Sequence, residues 1–424
     1  MKNTQLLKHF NQFLDFYSLF GTRRYRLLFL LLVASLFSVK AQVLVQGPDV
    51  TGSPDSIFDN HVSSIISTGA DSLLIAWFGG ELEGDTDNVI YTKRSFDGGL
   101  TWVNRDTLFE GFGDTLYRDP HLFYWRDTLY IIYNRQVGEG GISRALDSRL
   151  EYSFSLDDGY TWSAPSAINP GGIPAGKNIR IVAPFNDPVE INNKVVFGVH
   201  WREVGNSSPH VSLLYLDFSA DTSYLVGDLN VSYKIVEPAL LKENGVLHLY
   251  LRNDQQYIQY SKSLDFGLSW SNPINTKLVC SYSLSSVKEI AADSILVVWN
   301  NHRVSRDYLS VGLCRSYDLS DLYWKRDIDY MKSSRGQVSY PASLIYNWDS
   351  IGVSYTDRIH IGLKPNGKLD LRGSIKYLGI RLSDRNDLAD FTAANDTIAR
   401  SFLINRIEPL DSAIRLASLN SGSF

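Results

Sequence analysis

Apolar residues in this chain come in short runs that recur in pairs. A polar or tyrosine residue opens a short apolar stretch, a turn follows, and a second stretch is rich in β-branched and aromatic residues. The clearest pairs are 237–241 with 246–252 and 340–344 with 351–355. Others join 61–65 to 73–77, 119–123 to 129–133, 182–184 to 195–199 and 285–287 to 295–299. Runs of this length bounded by turn residues predict strands. The six pairs predict an all-β, six-bladed β-propeller, each pair supplying the first two strands of a blade.

A second pattern runs out of phase with the first. Ser95-Phe96-Asp97-Gly98-Gly99-Leu100-Thr101-Trp102 returns as Ser155-Leu156-Asp157-Asp158-Gly159-Tyr160-Thr161-Trp162, and again as Ser263-Leu264-Asp265-Phe266-Gly267-Leu268-Ser269-Trp270. Each reads as a stapled β-turn, with the Asp capping backbone N–H groups, the Gly taking a positive φ and the Trp plugging a seam. The spacings are 60 and 108 residues, so one unit near 216–219 lacks its box, and a degenerate copy follows at 316–324. Repeats at this period suit four strands plus turns. The box carboxylates Asp97, Asp157 and Asp265 are expected on the outer rim as turn caps.

The register decides where chemistry gathers. First strands line the axis of a propeller, so their opening residues converge at one mouth. Those positions hold His61, Asp119 (beside Arg118), Arg180, Glu237 and Tyr340, and the ends of the second strands bring Arg135, Arg202, Arg252 and Arg358. Such a mouth suits a carbohydrate that carries a carboxylate.

Composition narrows the partners. The 424 residues carry 41 Lys and Arg against 46 Asp and Glu, a net charge of −5, which gives no electrostatic reason to expect nucleic acid. Cys280 and Cys314 either pair once or stay as two buried thiols. Arg23, Arg24 and Arg26 precede an apolar run over 27–39 that ends in Val39-Lys40-Ala41, which reads as a secretory signal over 1–41. An uncut anchor is the alternative. The propeller is expected over 43–384 and a tail, closing the last blade or packing on it, over 385–424. The mature protein is expected outside the cell, without a membrane span and as a monomer. The sequence has no metal-ligand spacing, no phosphate-cradling glycine loop and no serine-centred nucleophile motif, so no cofactor is expected.

With these residues in hand, the chain resembles the sialidase (neuraminidase) superfamily. Its boxes look like the Asp-box, or bacterial neuraminidase repeat, and its layout looks like that of the six-bladed superfamily over nearly all of residues 43–384. The Trp77-Phe78-Gly79-Gly80 segment is similar to a divergent sialidase-like branch. The resemblance implies a retaining exo-glycosidase with Tyr340 as nucleophile, Glu237 as its proton acceptor and Asp85 as acid/base. It implies Arg252 and Arg306 as a clamp on a substrate carboxylate, with His61, Arg118 and Asp119 at the binding site. Asp85 shares its loop with Glu81, Glu83 and Asp87. A neutral tyrosine nucleophile suits an anionic substrate, which would repel a carboxylate. One position departs: the family's first-blade arginine is His61 here, and neutral His is a poorer clamp. Two other readings are a uronate lyase on the same propeller and a glycan-binding propeller without turnover.

Overall fold

The computed structural model describes residues 50–51, 59–109, 113–138, 147–173, 178–206, 208–229, 231–330, 336–363 and 369–382. The leader expected over 1–41 and the tail over 385–424 lie outside the described residues. All regular elements among the described residues are strands. No helix there is long and apolar enough to cross a membrane.

β1 (Asp59–Ser67), β2 (Leu73–Gly80), β3 (Val89–Ser95) and β4 (Val103–Phe109) form an antiparallel meander. The meander repeats in β5 (Thr115–Trp125), β6 (Thr128–Val137), β7 (Asp147–Ser155) and β8 (Ser166–Ile168). Next, β9 (Ile179–Ile181) and β10 (Val189–Ile191) both pair with β11 (Lys194–Glu203), which continues into β12 (Pro209–Asp217) and β13 (Thr222–Leu229). Two further four-stranded sheets hold β14 (Ile235–Glu243), β15 (Val246–Asn253), β16 (Tyr257–Ser263) and β17 (Ile274–Val279), then β18 (Ser286–Ala291), β19 (Ser294–Asn300), β20 (Tyr308–Cys314) and β21 (Leu322–Tyr330). β22 (Gly336–Asn347), β23 (Ser350–Leu363) and β24 (Leu369–Arg381) come last.

The arrangement is a β-propeller, but its strands bond into five sheets among the described residues, not the six separate ones expected. The reason is a single parallel pair, Asp59 with Gly373, which joins β24 to β1 and merges the last strands with the first into one seven-stranded sheet. The Asn60 amide donates to the Gly373 carbonyl at 3.0 Å. A Cβ at position 373 would lie 2.4 Å from the Asn60 carbonyl oxygen, so only glycine permits this approach.

Apolar seams hold successive strand groups together. Leu74 and Phe78 of β2 meet Leu129 and Ile131 of β6; Ile75 and Trp77, on the opposite face of β2, meet Ile375 and Tyr377 of β24. Every residue of β2 is therefore buried. A strand covered on both faces loses the apolar–polar alternation and reads as a continuous hydrophobic run. Ile295–Trp299 in β19 follows the same rule.

The boxes form as the sequence implies. The Thr101 N–H and hydroxyl donate to the Asp97 carboxylate at 2.8 and 2.6 Å, and the Gly99 N–H donates to Ser95 Oγ at 2.8 Å. The same bonds recur at Asp157 and Asp265. The Thr101 hydroxyl and amide hold the Asp97 carboxyl at about 2. In the boxless unit, Asp217 accepts the Ser219 and Ala220 N–H groups and pairs with Lys194, which rebuilds the cap by other means. Each box also docks on the preceding strand group: a Cβ on Gly159 would meet Leu74, and one on Gly267 would meet Leu213. Cys280 and Cys314 are both free and buried, so they do not pair.

Gly98 and Gly99 separate turn strain from docking. Both have positive φ (69° and 92°), but a Cβ at 98 meets nothing within 4 Å, whereas one at 99 meets the Tyr377 ring at 2.1 Å. Gly98→Ala is expected to cost about 1 kcal/mol. Gly99→Ala should cost roughly 2–4 kcal/mol, because overpacking adds to the strain. Urea denaturation of both variants checks this, and equal losses would show that the first box does not bear on β24.

Candidate active site

Four first strands share one backbone device. Val62, Asp119, Glu237 and Tyr340 all have positive φ, between 46° and 54°. Each sits at a break in register, between His61 and Ser63, Arg118 and His121, Val236 and Ala239, and Ser339 and Ala342. Proline follows three of them, at 120, 238 and 341. Proline has no N–H to leave orphaned where the ladder breaks, so it suits a bulge. A left-handed non-glycine residue costs about 1–3 kcal/mol, and before proline the backbone is restricted further. Bulges of this kind re-aim a side chain. Here they bring forward an Asp, a Glu and a Tyr.

At the centre stands Tyr340. Arg252, from β15, donates through one Nη1 to the Tyr340 phenol oxygen at 2.9 Å and to the Glu237 carboxylate. Among the described residues no hydrogen bond joins Glu237 to Tyr340 directly; Arg252 bridges them. The Glu237 N–H donates to His200 Nδ1 at 3.2 Å, fixing the bulge. Arg306 lies over the Tyr340 ring, 5.2 Å from its centre, and donates to the Tyr282 carbonyl at 2.9 Å and to Gln337 at 3.1 Å. Burial raises the phenol above its ordinary value; Arg252 and Arg306 pull it down, while Glu237 and Glu83 push it up.

A second cluster adjoins the first. Glu83, in the loop after β2, accepts from Arg118 at 2.9 Å and from Arg358 at 3.2 Å. Arg358, from β23, also donates to Asp59, which is fully buried. Burial would raise the Glu83 carboxyl, but the Arg118 and Arg358 guanidiniums beside it bring it down to about 2. The His61 ring stands edge-on to Tyr340 at 4.5 Å. Burial, with Arg358 beside it, lowers its pKa well below the usual histidine value despite Glu83, so His61 is a neutral ring at this site.

The expected residues Tyr340, Glu237, Arg252 and Arg306 therefore meet, and His61 and Arg118 stand beside them. In the acidic loop Glu83 bonds Arg118 and Arg358, and the Asp85 backbone closes a turn with Leu82 and Asn88. Arg358 and Asp59 complete the cluster; the sequence placed Arg358 at the mouth without a role and did not single out Asp59. Arg358 lies inside β23 and not at its end, paired with Gln337 of β22 and Gly373 of β24. Tyr282 lies in the loop between β17 and β18 and carried no signal in the sequence. Among the described residues no group of three or more His, Cys, Asp or Glu side chains could hold a metal ion.

Fold and site together define a propeller with an arginine-rich, tyrosine-centred mouth. The chain belongs to the BNR repeat-like domain family, which it matches over residues 71–352. Its structure is similar to a Hadza microbial sialidase (TM-score 0.61, 15% identity, 77% of this chain and 66% of that one). It is also similar to the sialidase of Trypanosoma rangeli (0.60, 14%, 78% and 56%) and to a Dyadobacter fermentans protein of unknown function (0.59, 14%, 77% and 96%). The chain thus spans 66% and 56% of the lengths of these two sialidases. A search of curated proteins found no match. At such identities the likeness is one of fold.

Asp119 offers a test of the electrostatics. Burial raises its carboxyl from 3.8 to about 6 against the pull of Arg118, with Glu83 and Glu237 adding to the rise. A folded value above the unfolded one means that the wild type loses stability as pH climbs from about 4 to 6. Asn lacks this titration and tolerates the left-handed backbone. Asp119→Asn is expected to gain on the wild type across that window by on the order of 3 kcal/mol. Urea denaturation at pH 4 and pH 7 measures the gain; a pH-independent difference would refute the assignment.

Proposed function

We propose that the protein is a secreted exo-glycosidase of sialidase type, which hydrolyses a terminal acidic sugar from glycans with retention. The observation that carries this reading is Arg252 bonding both the Tyr340 phenol and the Glu237 carboxylate at the opening of two inner strands. In this reading residues 1–41 are an export signal. The merged seven-stranded sheet counts as the first and last of six blades, meeting at Asp59–Gly373.

The chemistry follows from the charges. Tyr340 attacks the anomeric carbon as its phenol proton passes to Glu237. The glycosidic C–O bond breaks, and its oxygen leaves protonated by the acid/base group. Water then displaces Tyr340 from the anomeric carbon, which restores the phenol and the starting configuration. Arg252 and Arg306 hold the phenolate and the substrate carboxylate by charge-assisted hydrogen bonds. A neutral nucleophile approaches an anionic sugar without repulsion. The first-blade arginine of the family is His61 here. Arg118 and Arg358, from neighbouring strands, supply positive charge around that neutral ring, with Glu83 paired to both.

Asp85 is the proposed proton donor to the leaving oxygen. Asp119 is a second reading, favoured by a carboxyl held near 6, where an acid/base group works well at neutral pH. Asp85→Asn and Asp119→Asn distinguish them. The donor's variant is expected to lose the basic limb of the pH–rate profile and to depend strongly on leaving-group pKa.

Tyr340→Phe is expected to lower turnover of the preferred aryl glycoside by at least about 10³-fold, with the melting temperature preserved. The screen covers sialosides, uronides and rhamnosides with the secreted protein. An unsaturated, ultraviolet-absorbing product would identify a lyase, and equal turnover by Tyr340→Phe would remove the nucleophile assignment.

A further inference from the structure

Beside the Tyr340 centre, positive charge accumulates beyond what its carboxylates use. Arg202 is the last but one residue of β11, Lys234 precedes β14, and both come to the same corner as Arg252. Lys234 Nζ lies 4.5 Å and the Arg252 guanidinium 4.1 Å from the centre of the Tyr282 ring. Arg202 stands directly opposite Arg180 across the β9–β11 pair, where like charges repel. Its Nε is buried with no hydrogen-bond partner among the described residues. The carboxylates nearest this corner are Glu237, already bonded by Arg252, and Asp254, which is exposed and accepts from Gln255.

Gathered cations of this kind are unfavourable in a half-buried corner unless an anion joins them. The strain shows on their neighbours. Burial first, then Arg202 and Arg252, lowers the Lys234 pKa, and the same three cations bear on His200. Tyr282 links this corner to the Tyr340 centre through Arg252 and Arg306. Arg306 holds its carbonyl, while its ring faces Lys234 and Arg252.

We propose that Arg202, Lys234 and the Tyr282 ring form a second anion subsite, which takes a carboxylate or sulfate ester on the sugar next to the one cleaved. The ring offers a stacking surface for that sugar, and the Arg202 and Lys234 cations bind its charge. This proposal rests on the glycosidase reading for what the ligand is, but its binding test does not. The substrate class becomes a glycan with acidic groups on consecutive residues.

The test titrates inorganic sulfate and glucuronate separately into ¹³C-tyrosine-labelled protein. The Tyr282 ring signal, assigned by its loss in Tyr282→Phe, is followed. A saturable shift is expected with at least one anion, and the tighter one names the group recognised. Arg202→Gln with Lys234→Gln should weaken that binding by at least about tenfold. Each single variant should weaken it less, and thermal melts verify folding. Lys262→Gln with Lys277→Gln removes the same charge from exposed outer-strand positions and should leave the affinity unchanged. Unchanged affinity in the Arg202/Lys234 double variant would overturn the subsite while leaving the hydrolysis reading intact. If no glycoside is turned over, the Tyr282 titration still decides the subsite.

Discussion

The Asn60 side chain reaches the Gly373 carbonyl because Gly373 has no Cβ in the way, and Asp59 pairs with the same residue. That contact lies between the first described strand and the last. Around it, Trp77 and Ile75 pack on Ile375 and Tyr377, and the first box presses Gly99 on the Tyr377 ring. Without this seam β1 and β23 would not share a face, and Arg358 would not reach Asp59 and Glu83. The mouth draws on strands from nearly the whole chain, so ring closure is the condition for having a site at all.

Once the ring is closed, the inner strands have to aim polar side chains against their own ladders. Left-handed backbone at Val62, Asp119, Glu237 and Tyr340 does this, with proline after three of them. Each such residue is strained, and the strain is offset by packing in the seams beneath. The device is shared by four strands, but only three of the bulged residues bear chemistry. Val62 packs into the core, and the neutral imidazole of His61 faces Tyr340 instead.

The buried charges then arrange themselves by partner. Glu83 has two arginines beside it and ionises easily; Asp119 has one arginine against two carboxylates and holds its proton to near neutrality. Arg252 is matched by Glu237, whereas Arg202 and Lys234 are left without a comparable anion among the described residues. One mouth therefore contains a carboxylate fixed as an anion, a carboxyl poised to exchange a proton and unspent positive charge.

What was legible in the sequence was whatever depends on local pattern. The boxes at 95, 155 and 263 announce themselves because a stapled turn needs Ser, Asp, Gly and Thr or Ser at set spacings within one segment. Glu237, Arg252 and Tyr340 were found because strand register repeats, so their position along a blade is a local property. The five-sheet count, the loop that brings Glu83 to Arg118 and Arg358, and the placement of Tyr282 and Lys234 beside Arg252 are different in kind. They depend on how loops fold and on which faces meet across sheets far apart in the chain. A linear periodicity specifies which way a strand's side chains alternate, but only packing decides which charges become neighbours, and with them their protonation and chemistry.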